Sequence, residues 1–470
     1  KIKRINILCP AIMTQKQTVS AALSASEKRT ISGLSLIFAL RMLGLFMILP
    51  VFSLSAQQYS HSTPLLIGLA IGAYGLTQAL LQIPFGMLSD RIGRKKVIFF
   101  GLILFALGSI LAAVADSIYT VIAGRLLQGS GAIAAVVMAL TADLTRDQHR
   151  TKAMAAIGIS IGLSFSLVLA SGAALESWVG LAGIFWVTAI MALLGMLVLK
   201  WWVPTPHRQN SHREMKPARA QLGDVIRNRP VMRMVLSILI LHLLLTLSFF
   251  ALPIALQDFA GIAKDDLAQT YLPILLLAFV TMVPFILIAE KHRQMKKVFL
   301  GAITVLALAQ LGWALQPGSL PLLLLCLWLF FTAFNVLEAS LPSMMSKLSP
   351  LQHKGTAMGV YSSAQFIGAF LGGVLGGIIY SYGDISWIFF SAFTLCLLWL
   401  LVMWPMQALT HFSNRIIPLA GLTAANADHY QSRLEAIPGV VETILVVDDQ
   451  LAYVKFLADD IDLSELESVT

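Results

Sequence analysis

The stretch GMLSDRIGRKKVI, Gly86 to Ile98, sets five charged residues between two of the most apolar runs in the chain. LLIGLAIGAYGLTQALLQIPF (65–85) precedes it and FFGLILFALGSILAAVA (99–115) follows. A loop needed only for solubility would carry fewer charges and would not need glycines at 86 and 93. Each flanking run matches the roughly 20 apolar helical residues that one bilayer crossing requires. Extending such windows outward predicts twelve spans, near 31–54, 65–88, 97–115, 118–140, 153–175, 180–203, 231–256, 269–289, 298–316, 319–345, 356–380 and 385–407.

The composition agrees. The 470 residues are 57% hydrophobic and 12% charged, against about 25% charged in soluble domains. A single globular core is therefore excluded. Strands of a membrane barrel would alternate with period two in pieces of about ten residues, and no such alternation is present. The fold class is an all-α polytopic membrane protein. No cleavable signal peptide is expected, because the start lacks a short apolar core followed by small residues. Met13 reads as a natural start, so residues 1–12 are given no role. Cys9, Cys326 and Cys396 show no metal or redox spacing, and two of them fall inside spans as buried thiols. Neither a metal nor a cofactor is expected.

The net charge of +9 lies on one side. Alternate loops hold Lys28 and Arg29, then Arg91, Arg94, Lys95 and Lys96, then Arg146, Arg150 and Lys152, and the pattern continues to Lys347 and Lys354. The opposite loops hold a single Lys264. The positive-inside bias makes the basic loops and both termini cytoplasmic. The basic character reflects topology and anionic headgroups, so the bilayer is the partner and nucleic acid is not. A multi-pass protein of the cell inner membrane, acting as a monomer, is expected.

TADLTRDQHRTKAM (141–154) aligns without a gap on MSKLSPLQHKGTAM (345–358). IPFGMLSDR (83–91) likewise meets VPFILIAEK (283–291) at nearly the same offset. Two matches at one offset indicate two six-helix halves. The division is 1–30 as an N-terminal segment, 31–203 and 230–409 as the halves, 204–229 as linker and 413–470 as a soluble domain. In that last domain RIIPL, VVETILVV and LAYVKFL read as strands, ANADHYQSRLEAI and LSELESV as helices, and VDDQL as a hairpin turn.

With its motifs this plan resembles the major facilitator superfamily. Gly86, Leu88, Asp90, Arg91, Gly93, Arg94 and Lys95 match G-x-L-x-D-R-x-G-R-K between the second and third spans. Arg125, Gln128, Gly129, Gly131 and Ala132 match the fourth-span R-x-x-Q-G-x-G-A signature. LRMLGLFMILP, RLLQGSGAIAA, FNVLEASLPS, KGTAMGVYSSAQFIG and the short C-terminal domain look like the bacterial YajR group of drug-efflux transporters, whose tail is ferredoxin-like. The resemblance runs from about Thr30 to the end.

It implies a latch. The eleventh span enters at Gly355–Thr356, and a helix N-terminus carries roughly +0.5 charge. Asp90 would sit against that end in the outward-facing state, tying the halves together, while Arg94 pairs with Asp143. Gly86 would permit close helix approach and Gly93 a tight turn. Arg91, Lys95 and Lys96 are explained equally by the positive-inside bias.

Ionisable residues inside spans are costly, which marks them as candidates for function. Arg41, Arg125, His242 and Glu338 qualify. Glu338 or His242 would exchange a proton as solvent access alternates. Arg41 would attract an anionic group or hold a neighbouring carboxylate ionised. Interhelical hydrogen bonding is the plainer reading of each. Tyr74, Gln78, Gln82, Asn335, Tyr361 and Gln365 are expected to line a cavity or to bond neighbouring helices. Gly172 is followed by Ala173, where antiporters of the family carry Gly-Pro.

The expected function is proton-coupled export of a drug-like or amphipathic small molecule. A proton-driven importer on the same fold, and a receptor signalling through the tail, are the alternatives. No P-loop or nucleophile motif is present, so an ATP-driven pump or an enzyme is not expected.

Overall fold

The computed structural model describes residues 23–205, 218–316, 318–350, 354–406, 412–419, 421–423, 425–447, 450–457 and 466. The readings of the first 22 residues, residues 206–217 of the linker, Gln352, His353, Asp448, Asp449 and all of the final short helix but residue 466 lie outside them.

Helix α1 (Ala25–Phe46) opens with a capping box. Ser24 Oγ accepts from the Glu27 N–H at 3.1 Å, and Glu27 Oε2 accepts from the Ser24 N–H at 2.9 Å. The expected first span to 54 instead ends at Phe46, and a separate turn, α2 (Phe52–Ser55), follows. Helix α3 (Pro64–Ile92) stops at Gly93, whose φ of 105° lets α4 (Arg94–Ala113) begin at once.

The fourth span was expected unbroken over 118–140. It divides into α5 (Ile118–Ser130) and α6 (Ala134–Leu144). At the break Gly131 lies against the Gly101 carbonyl, where any Cβ would overlap. Helix α7 (Asp147–Trp201) contains the fifth and sixth crossings, separated at Gly180 with φ 68°.

The second half comprises α9 (Arg229–Ile254), α10 (Leu267–Lys291), α11 (Met295–Leu315), α12 (Leu320–Leu348), α13 (Lys354–Tyr382) and α14 (Ile385–Met403). A short helix, α8 (Ala218–Arg227), leads into it. Among the described residues eleven helices are long and apolar enough to cross a membrane. The 147–179 part of α7 is the twelfth crossing, giving two halves of six.

The tail has β1 (Phe412–Pro418), α15 (Ala427–Glu435), β2 (Val440–Val446) and β3 (Leu451–Leu457). The sheet order is β1-β3-β2, with both pairings antiparallel. Strand β3 inserted between β1 and β2 is the split β-α-β arrangement of ferredoxin-like domains. Ile417, Leu434, Ala452, Val454 and Phe456 form its core. The tail touches the bundle through Lys455, whose Nζ donates to the Ser349 carbonyl at 3.1 Å. That carbonyl caps α12, and a cation suits the negative end of a helix.

How the halves meet determines what the site can do. Helix α13 runs along α3, and Gly68, Gly72 and Gly75 of α3 lie on the carbonyls of Gly373, Phe370 and Phe366. A side chain at any of these three would overlap backbone. This packing occupies the parts of α3 and α13 remote from the basic loops. Toward the basic loops, Gly86, Gly355 and Gly359 meet nothing within 4 Å of a Cβ position. The close approach expected at Gly86 is therefore not made here; the glycine contact between the halves lies at the opposite ends of α3 and α13.

Within the first half, Gly124 on α5 would drive a Cβ to 2.8 Å from the Ala112 N of α4. Overpacking typically costs about 1–3 kcal/mol. Gly124→Leu should lower the melting temperature of the purified protein by several degrees. Gly301→Leu on α11, where a Cβ meets open space, should not lower it. Thermal unfolding of the two variants side by side checks this.

Candidate functional site

Two polar clusters sit at mid-depth, one in each half. In the first, Arg41 Nη2 donates to Tyr74 Oη at 2.6 Å and to Gln78 Oε1 at 2.5 Å. Gln78 passes the chain on to Gln82 at 2.8 Å. Arg125 Nη1 donates to Gln128 Oε1 at 2.8 Å, and Gln128 Nε2 donates to Ser109 Oγ at 2.7 Å. Both guanidinium groups lie over the Tyr74 ring, 5.9 Å from its centroid for Arg41 and 5.2 Å for Arg125.

Arg41 is 3% exposed and Arg125 1%, and none of these partners is a carboxylate. Rings and amide oxygens stabilise each cation only in part. Two donors of Arg41, Nε and Nη1, are buried without a hydrogen-bond partner. Tyr74, Gln78 and Gln82 were expected either to line a cavity or to bond neighbouring helices. They are 2%, 0% and 1% exposed and act as bonding groups: Tyr74 and Gln78 hold the arginine, and Gln82 holds Gln78.

In the second cluster Gln365 Nε2 donates to His242 Nε2 at 2.7 Å, while His242 Nδ1 faces the Ile238 carbonyl at 3.3 Å. Both bonds together require the neutral Nδ1–H tautomer. Glu338 Oε2 lies 3.9 Å from His242 Nε2. That oxygen and the Tyr361 hydroxyl are buried without hydrogen-bond partners, although 34% of the Glu338 side chain is accessible. Asn335 is half-buried one turn before Glu338. This half thus holds a carboxylate whose ligands are incomplete.

A third group lies at the basic face. Arg94 joins Asp90 at 2.5 Å, Asp143 at 3.0 Å and Ser89 Oγ at 2.7 Å. Lys95 Nζ donates to the Val203 carbonyl at 2.8 Å, and Arg91 is exposed. The Asp90 side chain is 59% exposed and held by Arg94. At the amino end of α13, Gly355 is exposed and Thr356 half-buried.

The sequence reading missed an ion pair beside this group. Glu27, 3% exposed, accepts from the Arg146 N–H and Nε at 3.0 Å each and from Nη2 at 2.8 Å. Arg146 counts simply as one more basic loop residue in the sequence. The S-x-x-E box before α1 was the available signal, but the second partner is 119 positions away. Among the described residues no cluster of His, Cys, Asp and Glu could hold a metal ion.

These bonds predict two opposite outcomes. Gln128→Leu removes the acceptor of Arg125 Nη1, and an unpartnered buried donor costs about 1–3 kcal/mol or more. Its melting temperature should fall by several degrees. Tyr361→Phe removes a hydroxyl with no partner, and its melting temperature should stay within about one degree. Thermal unfolding in one detergent compares them.

The chain has relatives of known family. The model of the Major Facilitator Superfamily matches residues 34–335 and 288–413. Inner membrane transport protein YajR of Escherichia coli (strain K12) is 43% identical over 434 residues, covering 92% of this chain and 95% of that protein. Multidrug resistance protein MdtH of Aeromonas salmonicida (strain A449) is 25% identical over 359 residues, covering 73% of this chain and 85% of that protein. The crystal structure of a D-xylose-proton symporter shares the fold at TM-score 0.65 and 15% identity, covering 81% of this chain and 98% of that one. With twelve crossings in two halves, a ferredoxin-like tail and a family match over most of its length, the chain belongs to the Major Facilitator Superfamily.

Proposed function

We propose that this transporter couples proton movement to export of an amphipathic, drug-like solute from the cytoplasm. The observation that carries the reading is the Glu338–His242 pair at 3.9 Å, with a carboxylate oxygen that is buried and unbonded yet belongs to a side chain one-third accessible. A carboxylate so placed gains and loses a proton as its access to water changes. The unpartnered donors of Arg41 favour a solute carrying an acceptor or anionic group.

By the positive-inside bias the face of Gly86 and Gly355 is cytoplasmic; in this reading it is the open face, and the glycine contact closes the other. Rocking of the halves about the midplane would exchange the two openings. In the opposite state Asp90 would reach the amino end of α13, and Arg94, already bonded to Asp143, would keep the loop in place. Membership of a family with multidrug-named members favours efflux. One observation favours import: Ala173 stands where antiporters of the family carry proline, and Gly172 packs on the Met47 carbonyl.

Glu338→Gln separates coupling from binding. A compound found by screening deletion cells for altered sensitivity would be followed in proteoliposomes. The variant should lose gradient-driven accumulation by at least about tenfold while one-for-one exchange of solute persists. Undiminished accumulation would end the proton-coupling reading, and accumulation in the direction of proton flow would establish import.

A further inference from the structure

Lys264 is the single Lys or Arg in the loops of the face opposite the basic one. It begins a short turn, Lys264–Asp266, just before α10 in the second half. Its Nζ lies 2.6 Å from Glu176 Oε1, on the last turns of the fifth crossing in the first half. Ser55 Oγ of α2 donates to the same oxygen at 3.0 Å. Glu176 is 5% exposed, whereas 36% of the Lys264 side chain is accessible. The contact therefore joins three segments and both halves, with its carboxylate inside.

We propose that Glu176 and Lys264 form an ionic bolt that holds this face shut, and that the bolt must break each time the face opens. The inference rests on alternating access as read above, because the two partners lie on bodies that would separate. Their unequal burial sets the energetics. When the face is closed, Glu176 is screened from water and depends on Lys264 and Ser55. When it opens, water solvates both ions. Removing the lysine strands a buried carboxylate in the closed state only, and breaking one side of such a pair is strongly unfavourable. Removing the carboxylate leaves a lysine that water already reaches, which costs less. A third consequence is that neutralising both groups leaves no stranded charge, so closure returns in part.

The bolt complements the glycine contact between α3 and α13. That contact supplies close packing but no charge selectivity. A charge pair at the rim adds a condition that only one register of the two halves meets.

The test is a distance measurement that needs no substrate. Spin labels at Asp116→Cys and Gln269→Cys, both exposed positions on that face in opposite halves, would be read by double electron–electron resonance in lipid nanodiscs. Cys9 would be replaced by serine, and the free thiols Cys326 and Cys396 are buried. Lys264→Gln should raise the long-distance fraction relative to the short one by about tenfold. Glu176→Gln should raise it less, and the double neutral variant should match Glu176→Gln rather than the sum of the two. An unchanged distribution in Lys264→Gln, or additive effects in the double variant, would overturn the bolt. Flux is not read in this experiment, so a failure of the export or proton-coupling reading leaves its outcome intact.

Discussion

The close approach of two glycine-lined helices, α3 and α13, is the constraint on which the rest depends. Helices in lipid gain little from hydrophobic association, so they associate through packing and hydrogen bonds. Small residues let backbones meet, and Gly68, Gly72 and Gly75 meet carbonyls of α13 directly. The contact occupies only one end of the pair. At the other end Gly86, Gly355 and Gly359 meet nothing. The close glycine contact is thus confined to the ends remote from the basic loops, while Asp90 pairs with Arg94 within its own half.

The two halves manage buried charge differently. The first embeds two arginines and stabilises them with amide oxygens, a phenol and aromatic faces. The second embeds a carboxylate and an imidazole that do not satisfy each other. Interior polar groups left without partners are costly to stability, which makes them informative about use. Neither half repeats the other's chemistry, although the two repeat each other's helices.

The tail adds a polar contact of its own to the bundle. Lys455 on β3 is 5% exposed and donates to the Ser349 carbonyl at the end of α12. The small domain is thereby attached to the second half, on the helix that carries Glu338.

Hydrophobic run length, charge asymmetry and the internal repeat were enough to read twelve crossings and two halves, because every span must satisfy its own backbone within the bilayer. The strands of the tail were legible for a similar local reason, period-two patterning with a turn between. The breaks at Met47–Val51 and Gly131–Ile133 were not, since the apolar pattern passes through them unchanged. Long-range partners were also hidden. Nothing local marks Arg146 as the partner of Glu27, Lys264 as the partner of Glu176, or Gln78 as spent on Arg41. Sequence by itself determined which residues would lie in the membrane and which of them were too polar to be there without reason. Tertiary structure alone decided which of those groups met, which stayed unbonded and which face closed, because each depends on the register of helices far apart in the chain.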